Sequence, residues 1–501
     1  MSKVSGLIVC AAVLALTSDG TGITANELTA RAPADAPIVS HGVIVGDVRA
    51  SSALLWARAD RQATLNVILS DGRHTKIDVV PARAVDDDTA LVPLEGLAPA
   101  TTYNYRAWFS LGAPDLSRGP TVEGSFRTAP PDDTGAPVRL AFGGDLAGLN
   151  VCRDAAEGFP IMDAVRAWRP DVFVGLGDMI YADNNCRAIG LYGNAQVPGE
   201  FEHAANLAAY WMHWRYGRAD THLQRLLAST DYVGVWDDHE VVNDFGPRND
   251  TRSRPPYTPG AHLMPIGLEA FIDYTPVAVA ANTPLGLYRS IRWGKNLELF
   301  VLDTRQYRDP NLAKDTDARP KTMLGREQLS WLKQQLVASD ATWKVIVSSV
   351  PMSIPTGSPP KKGRDGWANF DQHTGYEHEL LGVLRFMQAH AIHNSVWITT
   401  DAHFAEAFRY SPFPEDPGFV VHELVTGPMN AEIFPNTDFD TTLNPKRLGF
   451  FAPASTDAVM SWTQAKHWFN FGELEIGDDR SLTMRVVNTT GETEFERTLA
   501  P

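Results

Sequence analysis

Four short stretches of the chain place carboxylates after apolar runs, three of them with a tyrosine or a histidine close by. They are AFGGDLAG at 141–148, GLGDMIYAD at 175–183, VWDDHEVVND at 235–244 and TTDAHFAEAF at 399–408. Asp145 stands in the first, Asp178 and Tyr181 in the second, Asp238 and His239 in the third, and Asp401 and His403 in the fourth. Taken alone, Asp178 and Tyr181 fit a turn aspartate and a packed tyrosine equally well. Four such corners together point to chemistry. Acidic groups gathered around a histidine repel one another unless a cation or deep solvation offsets the repulsion. Two metal ions are the natural reading, with one carboxylate, Asp178, shared between them.

The elements that must position these residues are legible in the hydrophobic pattern. The run at 172–176, VFVGL, reads as a strand buried on both faces of a parallel sheet. Gly177 then lets the backbone turn and delivers Asp178 at the strand's carboxyl end, where ligands sit in open α/β sheets. The run at 138–142, a helix at 161–168 and the 172–176 strand make a βαβ unit. Further strands are predicted at 232–236, 297–302, 343–350 and 396–399, with helices at 325–337 and 376–391. Segments 419–426 and 469–496 read as antiparallel strands that close the domain, and 411–462 as an insertion lining the site mouth. Aromatics at helical spacing within 201–227, among them Tyr210, Trp211, Trp214 and Tyr216, read as core packing. Arg305, after the 297–302 strand, either holds an anion or pairs with Asp303 or Asp309.

The 501 residues exceed one typical core, so several domains are expected. Residues 36–130 read as a separate all-β domain of short alternating strands, an immunoglobulin- or fibronectin-like sandwich. The proline- and aspartate-rich stretch 129–137 is a linker, and 138–501 is the α/β domain. A formal net charge of −16 argues against a stable nucleic-acid partner. It leaves small phosphate esters open, since bound cations reverse the local field. Residues 1–25 read as an export signal, because LIVCAAVLAL at 7–16 is too short for a lasting anchor. The expected location is periplasmic or extracellular, with no transmembrane anchor once the signal is cleaved. Of three cysteines, Cys10 lies in that signal, and an oxidising compartment leaves Cys152 and Cys186 able to pair.

The order and content of these corners resemble the calcineurin-like metallophosphoesterases, and within them the PhoD-like alkaline phosphatases. The four stretches above carry the likeness, with ELFVLDTRQYRD at 298–309, SSVPM at 348–352 and DGWANF at 365–370. GDxxY and WDDHE make it specific, and it extends from the β domain through about residue 422. The resemblance implies a four-layer α/β/β/α sandwich behind the all-β domain. It implies ferric iron held by Asp145, Asp178, Tyr181 and His403, and calcium held by Asp178, Asp238 and Asp401. Carboxylate oxygens suit calcium better than zinc. His239 resembles the histidine that assists the leaving group, with orientation of Asp238 as its other role; Asp237, Glu240 and Asn243 would support the ligands. Many relatives carry cysteine where Asp145 stands, and a histidine common after SSVP-like segments is replaced by Met352 and Ser353. The implied reaction is hydrolysis of phosphate monoesters or diesters, or both, by a metal-activated hydroxide. Alternatives are a phosphodiesterase or phosphotriesterase with weak monoesterase activity, or an inactive secreted binding protein. Intact donors at every corner speak against the last.

Overall fold

The computed structural model describes residues 35–82, 86–112, 118–199, 201, 203–247, 260–278, 286–311, 313–357, 365–368 and 375–501. The expected signal at 1–25, with Cys10, lies outside the described residues. Among the described residues no helix is long and apolar enough to cross a membrane.

Seven strands come first: β1 (Val39–Gly46), β2 (Ser52–Ala59), β3 (Ala63–Ser70), β4 (Thr75–Ala82), β5 (Thr89–Glu95), β6 (Thr102–Ser110) and β7 (Val122–Arg127). Then follow β8 (Val138–Gly143), α1 (Ile161–Trp168), β9 (Val172–Gly175), α2 (Leu207–Arg218), α3 (Thr221–Leu227), β10 (Asp231–Gly234) and α4 (Gly260–Tyr274). The next group is β11 (Arg289–Trp293), β12 (Leu297–Val301), α5 (Gly325–Ala338), β13 (Trp343–Val347), α6 (Glu377–Ala389) and β14 (Ser395–Thr399). The chain closes with β15 (Ala405–Tyr410), β16 (Val421–Val425), β17 (Pro445–Phe451), α7 (Trp462–Trp468), β18 (Asn470–Ile476), β19 (Leu482–Asn488) and β20 (Thr493–Leu499).

Two sheets pack face to face. One runs β20-β19-β18-β8-β9-β10-β1-β2-β5 and the other β11-β12-β13-β14-β16-β15-β17. The period of two along each strand decides which side chain goes where. Val172 and Val174 point into the core between the sheets, with Leu299, Val345 and Ile398 of the second sheet. Phe173 points the other way, into a core shared with Val165 of α1, Trp214 of α2 and Phe271 of α4. On the far side, Phe300, Ile346 and Trp397 meet Leu332 of α5 and Leu384 of α6. Helix, sheet, sheet and helix are the four layers, and strands buried on both faces explain the unbroken apolar runs.

In the N-terminal segment, β4-β3-β6-β7 form a separate sheet. It packs on β1, β2 and β5 through Val43, Leu55, Leu65, Val67 and Tyr105. Strand β1 also pairs in parallel with β10, at Gly46 and Tyr232, so β1, β2 and β5 continue the first large sheet. Buried ion pairs fasten the junction. Asp47 takes Arg289 at 2.8 Å, and Asp87 takes Arg58 at 3.1 Å together with Arg215.

The predicted antiparallel strand at 419–426 needs correction. Observed as β16, it runs parallel to β14 and antiparallel only to β15. The helical stretch 201–227 divides at Asp220, whose carboxylate caps α3 by accepting from His222 N at 3.0 Å and Leu223 N at 2.9 Å. Helix α4 was not anticipated; its internal Pro265 breaks the local helical signal, and tertiary packing overrides it.

Candidate metal centre

The parallel strands β8, β9 and β10 end in register, with Gly143, Gly175 and Gly234 side by side. Just beyond them, and beyond β14, the backbone turns sharply. Asp145 (φ 60), Asp178 (φ 52), Asp401 (φ 71) and His403 (φ 62) all adopt the left-handed region. Each such non-glycine residue costs on the order of 1 kcal/mol, which the packed strand ends hold in place. The corners crowd one another. A Cβ on Gly177 would lie 2.5 Å from Cβ of Asp237, and one on Gly427 would lie 2.2 Å from Oδ2 of Asp145.

Asp145, Asp178, Tyr181, Asp238, His239, Asp401 and His403 meet in one cluster, all buried except the half-buried Asp401. His403 Nε2 lies 3.0 Å from the Tyr181 hydroxyl and 3.7 Å from Oδ1 of Asp145. Asp145 is held on its other oxygen by Thr400 Oγ1 at 2.7 Å. His403 donates from Nδ1 to the Glu432 carbonyl, which fixes its tautomer and turns Nε2 toward Tyr181. The donor atoms of Asp178, Asp237, Asp238 and Asp401 all lie within 4.8 Å of one another, and Asp178, Asp238 and His239 form a second such group. The His239 amide donates to Asp178 Oδ1 at 3.1 Å, and the Tyr181 and His239 rings stack with centroids 4.0 Å apart.

Glu240 ties two corners together. Its carboxylate accepts from the amides of Asp178 at 2.9 Å, Met179 at 2.8 Å and Asp237 at 2.7 Å. Arg305 neither stands free nor pairs its side chain with Asp303. Its guanidinium binds Asp237 Oδ1 at 2.5 Å and Asp365 at 2.6 Å, while only its backbone amide reaches Asp303, at 3.0 Å. This corrects the sequence expectation: the counter-charges come from the turn after β10 and from the DGWANF segment, both distant in the chain.

Asp183 was not singled out from the sequence, although it ends the same GDMIYAD stretch. Its carboxylate accepts from His239 Nδ1 at 2.6 Å and from the Asn243 amide at 3.0 Å. Burial opposes the imidazolium of His239, but Asp183 and Asp238 outweigh it and hold its pKa up to about 10. Burial likewise opposes the charge on Asp183, and the facing His239 holds that carboxyl well below the usual range.

The remaining carboxylates have the opposite problem. Burial, then repulsion from Asp238 and Asp237, pushes Asp178 well above the usual carboxylate range. Burial and Asp237 do the same to Asp401, and burial pushes Asp145 up to about 7. Among the described residues, Asp145 Oδ1, Asp178 Oδ2, Asp237 Oδ2 and Asp401 Oδ2 are buried without a hydrogen-bond partner. Such atoms are rare and costly in folded proteins unless a cation or water meets them. Hard oxygen donors of this kind, with a tyrosine and a histidine on one side, fit metal ions. A cleft of about 530 Å³ opens onto Asp238, His239, Asp401 and His403.

A disulfide joins Cys152 to Cys186, with Cα atoms 5.8 Å apart, and links the loop after Asp145 to the loop after Tyr181.

The profile of the PhoD-like phosphatase family matches residues 147–481, and that of the PhoD-like phosphatase N-terminal domain matches residues 24–130. The chain belongs to the PhoD-like phosphatase family. Alkaline phosphatase D of Bacillus subtilis (strain 168) is 26% identical over 330 residues, covering 62% of this chain. That match spans only 52% of the Bacillus protein. A solved PhoD structure superposes with a TM-score of 0.72 at 20% identity, covering 94% of this chain and 90% of that one. Purple acid phosphatase from yellow lupin (Lupinus luteus) seeds gives 0.58 at 13% identity, covering 93% and 74%. Both likenesses carry the fold alone: the four-layer sandwich is shared with them.

Proposed function

We propose that the chain is a metal-dependent phosphatase, a hydrolase of phosphate monoesters, diesters or both. The observation that carries this is the row of unpartnered, buried carboxylate oxygens at the strand ends of a PhoD-like phosphatase fold. In this reading Asp145, Asp178, Tyr181 and His403 hold ferric iron, and Asp178, Asp238 and Asp401 hold calcium. When bound, such ions supply Lewis-acid polarisation of the phosphoryl oxygens and lower the pKa of water. Burial holds the Tyr181 hydroxyl well above its ordinary pKa, so only a strongly acidic cation makes its phenolate.

The protein's own part is orientation and proton handling. Glu240 fixes the corners of Asp178 and Asp237 through three backbone amides. Arg305 and Ser349, which donates to Asp237 at 2.5 Å, hold Asp237 in place. Because Asp183 occupies Nδ1 of His239, Nε2 is the nitrogen that can donate a proton to the leaving-group oxygen. His239 lines the cleft, as that role requires.

The partners are small phosphate esters, and the site of action is the periplasm or the cell exterior. The Cys152–Cys186 disulfide supports an oxidising compartment. The test is quantification of bound metals in the purified protein with assays against p-nitrophenyl phosphate and bis(p-nitrophenyl) phosphate. Stoichiometric metal with turnover of either ester is expected. A metal-loaded protein that turns over neither would leave the inactive binding protein in place of the enzyme.

A further inference from the structure

The cleft above the acidic cluster has two kinds of lining. Asp238, His239, Asp401 and His403 supply the polar part, while Leu149, Ile354, Pro355, Phe404, Phe434 and Pro435 supply an apolar part. Ile354, Pro355 and Phe404 are buried, and Leu149 and Pro435 are half-buried. Phe434 is 40% exposed and stands at the mouth of a buried polar site. Its ring lies 4.9 Å from that of His403 between centroids, tilted by 47°. The ring therefore touches a residue of the acidic cluster and lines the cleft beside it.

The segment that carries Phe434 is pinned at several points. Met429 N donates to Gly144 O at 3.0 Å, Asn430 N to Asp145 O at 3.0 Å, and Ala147 N to Asn430 O at 2.9 Å. Ile433 N donates to the Tyr192 hydroxyl at 3.1 Å, and the Glu432 carbonyl takes His403 Nδ1. The backbone that carries the ring is thus held in position before any ligand arrives, so little chain freedom is lost on contact. An exposed, preorganised aromatic ring beside a site for phosphate has a simple use: it offers a face to whatever organic group the phosphorus carries.

We infer that Phe434 is a specificity-determining residue, whose open face stacks on a flat or apolar ester group and favours aryl-bearing phosphoesters over small alkyl ones. The inference rests on the phosphatase reading. Aromatic pairs are worth about two- to ten-fold in affinity, and that sets the expected effect.

Calorimetric binding of three non-hydrolysed anions to the metal-loaded protein tests it: phenylphosphonate, methylphosphonate and inorganic phosphate. Wild type should bind phenylphosphonate about two- to ten-fold more tightly than methylphosphonate. Phe434→Ala should remove that preference while leaving inorganic phosphate affinity unchanged, and Phe434→Trp should retain it. A merely structural role through His403 would weaken all three anions together, which would overturn the inference. Equal binding of phenyl- and methylphosphonate by wild type, or an unchanged preference in Phe434→Ala, would refute it while leaving the phosphatase reading intact. Binding of none of the three would refute both.

Discussion

Asp183→Asn isolates the part of the site least visible in the sequence. The substitution keeps the shape of the side chain and removes its charge. In the native arrangement one carboxylate oxygen accepts from His239 Nδ1 at 2.6 Å and the other from the Asn243 amide at 3.0 Å. An asparagine has one accepting oxygen. If that oxygen keeps the Asn243 amide, its NH2 faces Nδ1; if it turns to Nδ1, the Asn243 amide loses its acceptor. Either way the imidazolium loses its hydrogen-bonded counter-charge and keeps the more distant Asp238, in a buried setting where His239 is 6% exposed and burial already disfavours charge. A hydrogen bond to a charged group is worth about 1.5–3 kcal/mol, so turnover that depends on a protonated His239 should fall about ten- to a hundred-fold. The assay compares alkyl and p-nitrophenyl phosphates at alkaline pH, with metal content measured on the same samples. Alkyl esters, which need a proton on the leaving oxygen, should lose most; p-nitrophenyl esters should lose least. Metal content should be unchanged. The double variant Asp183→Asn/His239→Ala should be no slower than His239→Ala alone. Loss of metal, equal loss on both esters, or additive effects would refute the assignment of Asp183 as the residue that positions and charges His239.

Three further outcomes follow from the same structure. Asp178→Asn removes one of the two carboxylates, with Asp238, that belong to both donor groups, so bound metal and activity should fall together; retention of both metals with near-normal turnover would mean that Asp178 does not bridge. Iron-loaded wild type should absorb visible light through charge transfer from the Tyr181 phenolate, and Tyr181→Phe should bleach it with the fold intact by circular dichroism; a colourless wild type or a coloured variant would return Tyr181 to a packing role. At the junction with the β domain, burial and the nearby Arg58 and Arg215 depress the pKa of His41 from 6.5 to about 3. Below pH 6.5 the unfolded chain binds a proton that the folded chain does not, so stability should fall by about 2 kcal/mol between pH 8 and pH 5 from this group alone. Urea unfolding of His41→Gln should show a shallower acid loss, and an unchanged slope would rule His41 out.

Much of this site was legible in the linear chain, and the reason is geometric. A strand buried on both faces writes itself as an unbroken apolar run, as VFVG of β9 does, and the first glycine and carboxylate after it mark the strand's carboxyl end. Asp145 and Asp178 follow that rule; Asp401 follows its run without a glycine, and Asp238 is the second carboxylate after its run, marked out by the WDDHE motif. Tyr181 and His403 lie within three residues of such an aspartate and came with it. What lay beyond the sequence was which group faces which. Asp183 reaches His239 across 56 residues, Asp365 reaches Arg305 across 60, and Thr400 reaches Asp145 across 255. Those meetings depend on how two sheets stack and on where their loops fold back. Arg305 illustrates the limit: an anion, Asp303 or Asp309 was expected from the local sequence, yet the guanidinium takes Asp237 and Asp365. The pinned segment that presents Phe434 had no local pattern to announce it, because its hydrogen bonds go to Gly144, Asp145, Ala147 and Tyr192. Local sequence determined the donors, since each corner is built within a few residues. Only the tertiary structure decided their partners, since charge pairing acts across space and strand packing sets the distances.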